Sequence, residues 1–229
     1  NLPLRLGVVI DCSGSMSSAL AEAQGAAQAY LRGVMKPGDQ AFLESFTAKP
    51  TLDMPLTDDT GALIFALGGL RAQGPTALHD ALVQGLRQLA GTRGQRALVL
   101  LSDGDDNSSS IAFEDALEYA RRSGTAIYPI GLDLPFPGFG LRSKLGQLAE
   151  ETGGQAFFAS RASELEGIYA TIEEELRSRY LIVYQRDGAC GDDTAAKTKT
   201  RCPLEVRLRK GVHARVTRVV ASAPATGKR

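Results

Sequence analysis

The sequence predicts an α/β sandwich, an open and mainly parallel sheet with helices on both faces. Three observations predict it. Short apolar runs alternate with helical periods from about residue 4 to residue 178, an order that buries a parallel sheet between helices. Two of the runs, residues 4–10 and 97–101, are nearly or fully continuous in apolar residues, as strands covered on both faces must be. Each of these two runs stops at short polar residues, Asp11 and Ser102-Asp103-Gly104.

The elements follow in order. Residues 4–10 form the first strand. Met16, Leu20, Ala23, Ala27 and Leu31 recur at helical steps, and Lys36-Pro37-Gly38-Asp39 ends that helix. Residues 41–46 form a second strand and residues 51–56 a short third one. Only residues 47–50 separate them, which suits an antiparallel hairpin, and Pro50 and Pro55 place the third strand at an edge. Leu63, Leu67 and Leu70 mark one helix over residues 60–70. Leu78, Leu82, Leu86 and Leu89 mark another over 77–89. After the central strand 97–101, the Ser108-Ser109-Ser110 run is expected to cap a helix over 111–122. A strand at 125–131, a helix near 141–151, a strand at 155–159 and a helix over 163–177 complete the alternation. Leu165, Ile168, Ile172 and Leu176 form the last helix's apolar face. Right-handed crossovers put the helices on both sides of the sheet.

Beyond residue 178 the chain changes character. Residues 180–184 are β-rich, and Leu204, Val206 and Leu208 alternate with Glu205, Arg207 and Arg209. Lys210-Gly211 marks a turn, and residues 212–220 read as the second arm of a hairpin that extends or caps the sheet. The expected organisation is therefore a domain at 1–178, a β extension at 179–220 and a flexible tail at 221–229. Arg207, Arg209, Lys210, Arg215 and Arg218 are read as the solvated, protective face of an edge hairpin. A docking stripe for an acidic partner is the competing reading.

The bulk numbers narrow the classes. The 229 residues are 43% hydrophobic and 23% charged, ordinary for a globular protein. Lysine plus arginine equals aspartate plus glutamate at 26 each, so no basic excess points to nucleic acid. No apolar run reaches the ~18 residues of a membrane span. The chain starts at Asn1 without a methionine or a signal peptide, as a trimmed or mature fragment would. Of three cysteines, Cys12 is expected to be a small buried residue. Cys190 and Cys202 flank a polar stretch. A disulfide there would stabilise by roughly 3 kcal/mol and place the protein in an oxidising, extracytoplasmic or secreted setting; two unpaired surface thiols are the alternative.

Three segments carry oxygen donors on short side chains: Asp11-Cys12-Ser13-Gly14-Ser15, Gly74-Pro75-Thr76-Ala77-Leu78 and Ser102-Asp103-Gly104. Asp11 and Asp103 sit just past the carboxyl ends of apolar strands, where sites form in open parallel sheets. Carboxylates, hydroxyls and waters suit a hard cation such as Mg²⁺. One imidazole, His79, does not make a zinc site.

These residues resemble the von Willebrand factor A (VWA) family, whose metal-ion-dependent adhesion site (MIDAS) reads Asp-x-Ser-x-Ser, then a loop threonine, then a strand-end aspartate. Here the pattern reads Asp11, Ser13, Ser15, Thr76 and Asp103. The flanking residues Val8-Val9-Ile10, Ala77-Leu78-His79-Asp80-Ala81-Leu82 and Leu100-Leu101 are similar to the family as well. The tail more loosely resembles bacterial VWA-related proteins in which the last helix runs into a Tyr-rich strand and a basic hairpin. The resemblance implies sheet order 3-2-1-4-5-6 with strand three antiparallel, and a Mg²⁺ site (alternatively Mn²⁺ or Ca²⁺) on those five residues. It also implies a protein partner whose Asp or Glu completes the metal shell.

Plainer readings stand beside these. The Asp11 loop could be a helix N-cap, and so could Thr76. Asp103 could be a solvated acid. Asp105 and Asp106 are expected to be exposed acids near a helix start, and His79 a helix-surface histidine. No catalysis is expected: Ser13 and Ser15 have no matching histidine motif, and no Gly-x-Ser-x-Gly elbow occurs. A Mg²⁺-dependent phosphotransfer enzyme would need a second carboxylate where Ser13 stands. A VWA-fold scaffold that works through its hairpin, indifferent to metal, is the remaining alternative.

Overall fold

The computed structural model describes residues 2–134 and 139–178. The expectations for the Tyr180 strand, the 204–220 hairpin and its arginines, the bounds 179–220 and 221–229, and the Cys190–Cys202 pair lie outside the described residues.

Six strands form one sheet: β1 (Leu4–Asp11), β2 (Gln40–Phe46), β3 (Pro50–Thr57), β4 (Gln95–Ser102), β5 (Ala126–Leu132) and β6 (Phe157–Ala159), ordered β3-β2-β1-β4-β5-β6. All neighbours are parallel except β2 and β3. This is the strand order and orientation that the resemblance implied. As expected, β3 is an antiparallel edge, and its register shifts twice against β2.

Side chains alternate between the two faces of the sheet. On one side Leu4, Leu6, Val8 and Ile10 of β1 join Ala97, Val99 and Leu101 of β4. The helices α1 (Leu20–Val34), α2 (Thr60–Gly69) and α6 (Leu165–Ser178) cover them. On the other side Val9, Phe42, Leu98 and Leu100 pack under α3 (Leu78–Leu89), α4 (Phe113–Ser123) and α5 (Phe139–Thr152). Fully burying each leucine of these layers contributes about 2 kcal/mol. Gly7 interrupts the apolar run of β1 because the Phe42 ring occupies the space its side chain would take, 2.6 Å from the Cβ position.

The helices depart from expectation at their starts. The first helical segment opens as a 3-10 turn, Gly14–Ser18, and α1 begins only at Leu20. The backbone of this loop bonds sideways: Gly14 N–H donates to Gly74 O, and Cys12 O accepts from Gln73 N–H. A second 3-10 turn, Ala162–Glu164, precedes α6. The serine run does not cap α4, whose N-cap is Ala112 with no side-chain hydrogen bond. Those serines serve the loop before it.

The strand register positions the site. Ile10 lies opposite Leu101, so β1 and β4, adjacent at the middle of the sheet, deliver Asp11 and Ser102 to the same level at their carboxyl ends. Their chains then depart to opposite faces, α1 on one and α4 on the other, opening a crevice between the loops.

Candidate metal and ligand site

Asp11 ends β1 with its side chain buried. Its Oδ1 accepts the Ser13 N–H at 2.7 Å, which folds the loop back over the strand end. Its Oδ2 accepts from Ser102 Oγ at 2.6 Å. The Ser13 and Ser15 hydroxyls lie 3.0 Å apart, and Ser15 Oγ donates to Asp103 Oδ1 at 2.8 Å. Four of the five expected site residues thus form one polar group across two strand ends.

Thr76 arrives from a third segment. Its loop is held to the first through the Gly14–Gly74 bond, where Gly74 turns with a left-handed φ of 75°. It is held to the third through Asn107, whose Oδ1 accepts the Thr76 N–H at 2.8 Å. Thr76 is buried, and it is not a helix cap: the N-cap of α3 is Ala77, without a side-chain bond.

Burial raises the Asp11 carboxyl above its ordinary range, against the lowering effect of Ser102 and Ser13, and the Asp103 carboxylate adds to the rise. Burial raises Asp103 too; Ser15 opposes that, and Asp133 reinforces it. Neither acid forms an ion pair among the described residues. Two crowded carboxyls with hydroxyls between them, and no cationic side chain paired to them among the described residues, fit a hard divalent cation, which favours oxygen donors. Among the described residues no three His, Cys, Asp or Glu side chains gather into a conventional metal cage, so hydroxyls would have to share the ligation. Cys12 is buried as expected, and burial with the Asp11 and Asp53 charges pushes its thiol up to about 12, leaving it unreactive.

Two expectations are corrected. His79 is not on a helix surface: it is buried, with Nδ1 3.1 Å from Ile111 O and its ring tilted against Phe113. The first turn of α3 packs beneath the loop that follows β4, and that contact covers the ring. Asp106 is not an exposed acid. Its carboxylate accepts from His79 N–H at 3.0 Å and from Ser109 N–H and Oγ. Burial would raise it, but Ser109 and the His79 amide more than offset that and hold it below its usual range. Asp105 is exposed as expected, 3.9 Å from Lys144 Nζ.

Sequence reasoning named Ser102 in the third segment without giving it a role, and passed over Asn107 and Asp133. Ser102 stands at a strand end beside Asp103, a position that marks it for the site. The dense polar run 103–110 flagged the loop but not its partners. Asp133 takes a left-handed φ of 46°, uncommon for a residue other than glycine, and no pattern in the sequence announces it.

The fold and this group of residues define a class, an open α/β sheet with an oxygen-rich site where its central strands end. Residues 6–105 match the family model described as the von Willebrand factor type A domain, and no curated protein matches the sequence. Among solved structures, the vWF domain of the type V pili tip protein Mfa5 from Porphyromonas gingivalis is similar at TM-score 0.62 and 15% identity, over 80% of this chain and 98% of that one. The von Willebrand factor type A protein from Catenulispora acidiphila is similar at TM-score 0.67 and 20% identity, over 76% of this chain and 42% of that one. The pilus adhesin SpaC from Lactobacillus rhamnosus GG, in its open conformation, is similar at TM-score 0.66 and 15% identity, over 76% of this chain and 30% of that one. The chain thus spans less than half the length of the latter two.

Proposed function

We propose that this chain is a divalent-metal-dependent protein-binding module for adhesion or assembly, without catalysis. Asp11, Ser13, Ser15, Thr76 and Asp103 would hold the ion, Mg²⁺ by the hardness of the donors, with Mn²⁺ and Ca²⁺ as alternatives. The bound cation would supply a site for an Asp or Glu side chain of a protein partner. The chain's own part is to orient the donors: Ser102 and the Ser13 amide aim the Asp11 carboxylate, and Ser15 aims that of Asp103.

The observation that carries this reading is the hydrogen-bonded run of Asp11, Ser13, Ser15 and Asp103 across neighbouring strand ends, with no ion pair to either acid among the described residues. Similarity of fold to a pili tip protein and a pilus adhesin supports a role in adhesion or assembly outside the cytoplasm. The position of His79, turned to Ile111, supports a binding rather than a catalytic role for Ser13 and Ser15. Calorimetric titration with Mg²⁺ and Mn²⁺ tests it. Saturable binding to the full chain that is lost in Asp11→Ala is expected; no binding, or equal binding by that variant, refutes the metal site.

A further inference from the structure

Thr76 is not carried by the sheet, and its backbone is gripped by one segment far along the chain. Asn107 Oδ1 accepts the Thr76 N–H, and Thr76 O accepts the amides of Asn107 at 3.0 Å and Ser108 at 3.2 Å. The same two segments stay paired beyond this point. His79 N–H donates to Asp106 Oδ2, Asp80 N–H donates to Ser109 Oγ, and the Asp80 carboxylate accepts the Ser110 and Ile111 amides at 2.9 to 3.1 Å. The opening amides of α3 are therefore satisfied by a loop about thirty residues away, and that loop's amides by α3 in return. Helix ends need such partners, and here they are supplied reciprocally. Asp103 stands only three residues before Asp106. The separation of Thr76 from Asp103 is thus set by this zipper, and Asn107 is its tooth nearest Thr76.

We infer that Asn107 is a positioning residue for the metal site: its side chain holds the Thr76 segment in register with the Asp103 strand end without itself being a ligand. This inference rests on the metal-dependent reading above. Partners that orient ligands in this way typically cost 10–100-fold in metal affinity when removed. In Asn107→Ala the two backbone bonds to Thr76 O remain, so the fold persists while the Thr76 amide is freed.

The test compares wild type, Asn107→Ala and Asn107→Asp in the full chain. It measures Mg²⁺ affinity by calorimetry, hydrogen exchange at the Thr76 amide, and the thermal midpoint in chelator. Asn107→Ala is expected to bind Mg²⁺ about tenfold more weakly and to exchange the Thr76 amide faster, with the midpoint unchanged. Asn107→Asp, which keeps an acceptor at the same place, is expected to restore both. Equal Mg²⁺ affinity in wild type and Asn107→Ala overturns the inference alone, as does a loss of affinity matched by a fall in midpoint. Absence of Mg²⁺ binding by wild type overturns the metal reading, and the inference with it.

Discussion

Ser102 Oγ donates to Asp11 Oδ2 at 2.6 Å, joining the ends of two adjacent strands through residues 91 apart in the chain. Ser102 also accepts from the Gly104 amide, so one hydroxyl braces both the first acid and the turn that presents Asp103. Ser102→Ala leaves a buried carboxylate short of a donor. We expect a loss of about 1–3 kcal/mol in unfolding free energy, read by urea denaturation in chelator, together with weaker Mg²⁺ binding. An unchanged denaturation midpoint would contradict it.

Glu44 of β2 is buried on the α3 side of the sheet, and neither carboxyl oxygen completes a hydrogen bond among the described residues. Burial pushes its carboxyl from 4.5 up to about 8; the nearby Gln84 amide opposes the rise and Asp53 adds to it. The folded chain therefore keeps a proton that the unfolded chain releases between about pH 4.5 and 8. Stability contributed by this group is complete below that window and falls as pH rises through it. Glu44→Gln is expected to gain on wild type by a few kcal/mol between pH 5 and pH 8. Denaturant midpoints at the two values check this, and a constant difference would refute it.

Asp39 shows the opposite sign. It is buried and accepts the Leu4 amide at 2.7 Å, the Lys36 amide at 3.0 Å and Arg177 Nη2 at 2.5 Å. Burial alone would raise its carboxyl, but Arg177 and the two amides more than offset this and hold it below the usual range. Its stabilising contribution is present at neutral pH and lost as pH falls through the carboxylate range. Asp39→Ala strands the Arg177 charge and is expected to cost about 3 kcal/mol or more. Asp39→Asn should show a shallower loss of thermal midpoint on acidification than wild type.

Gly154 passes so close to β5 that a Cβ would stand 1.8 Å from Ile127 O. Gly154→Ala must displace backbone, and we expect it to cost about 3 kcal/mol or more. Gly146, inside α5 with nothing within 4 Å of its Cβ position, gives the contrast: Gly146→Ala should stabilise by about 0.4–1 kcal/mol. Thermal midpoints moving in the same direction for both would refute the packing argument.

The sheet was readable because its signal is local. Apolar runs such as 97–101, and the proline-bearing third strand, announce themselves within a few residues. Asp11 and Asp103 were readable for the same reason, standing where apolar runs stop. The strand order came with the family resemblance rather than from the pattern alone. What local pattern missed is what distant segments do to each other. His79 looks like a surface residue on its helix until the 103–112 loop is laid over it, and Asp106 looks free until α3 offers its amides. The Ser108–110 run reads as a cap, yet Ser109 and Ser110 bond to Asp106 and Asp80 instead. The late start of α1 has the same origin, since Gly14 spends its amide on Gly74.

The two margins of the sheet are unequal. β3 lacks backbone amides at Pro50 and Pro55 and slips twice in register against its neighbour, so a foreign strand finds a broken template there. On the far side β6 is only Phe157–Ala159, a short stretch with neither obstacle. Among the described residues both margins are therefore poor templates for lateral pairing, β3 through its prolines and β6 through its length, since three residues offer a foreign strand few amides and carbonyls to seat on.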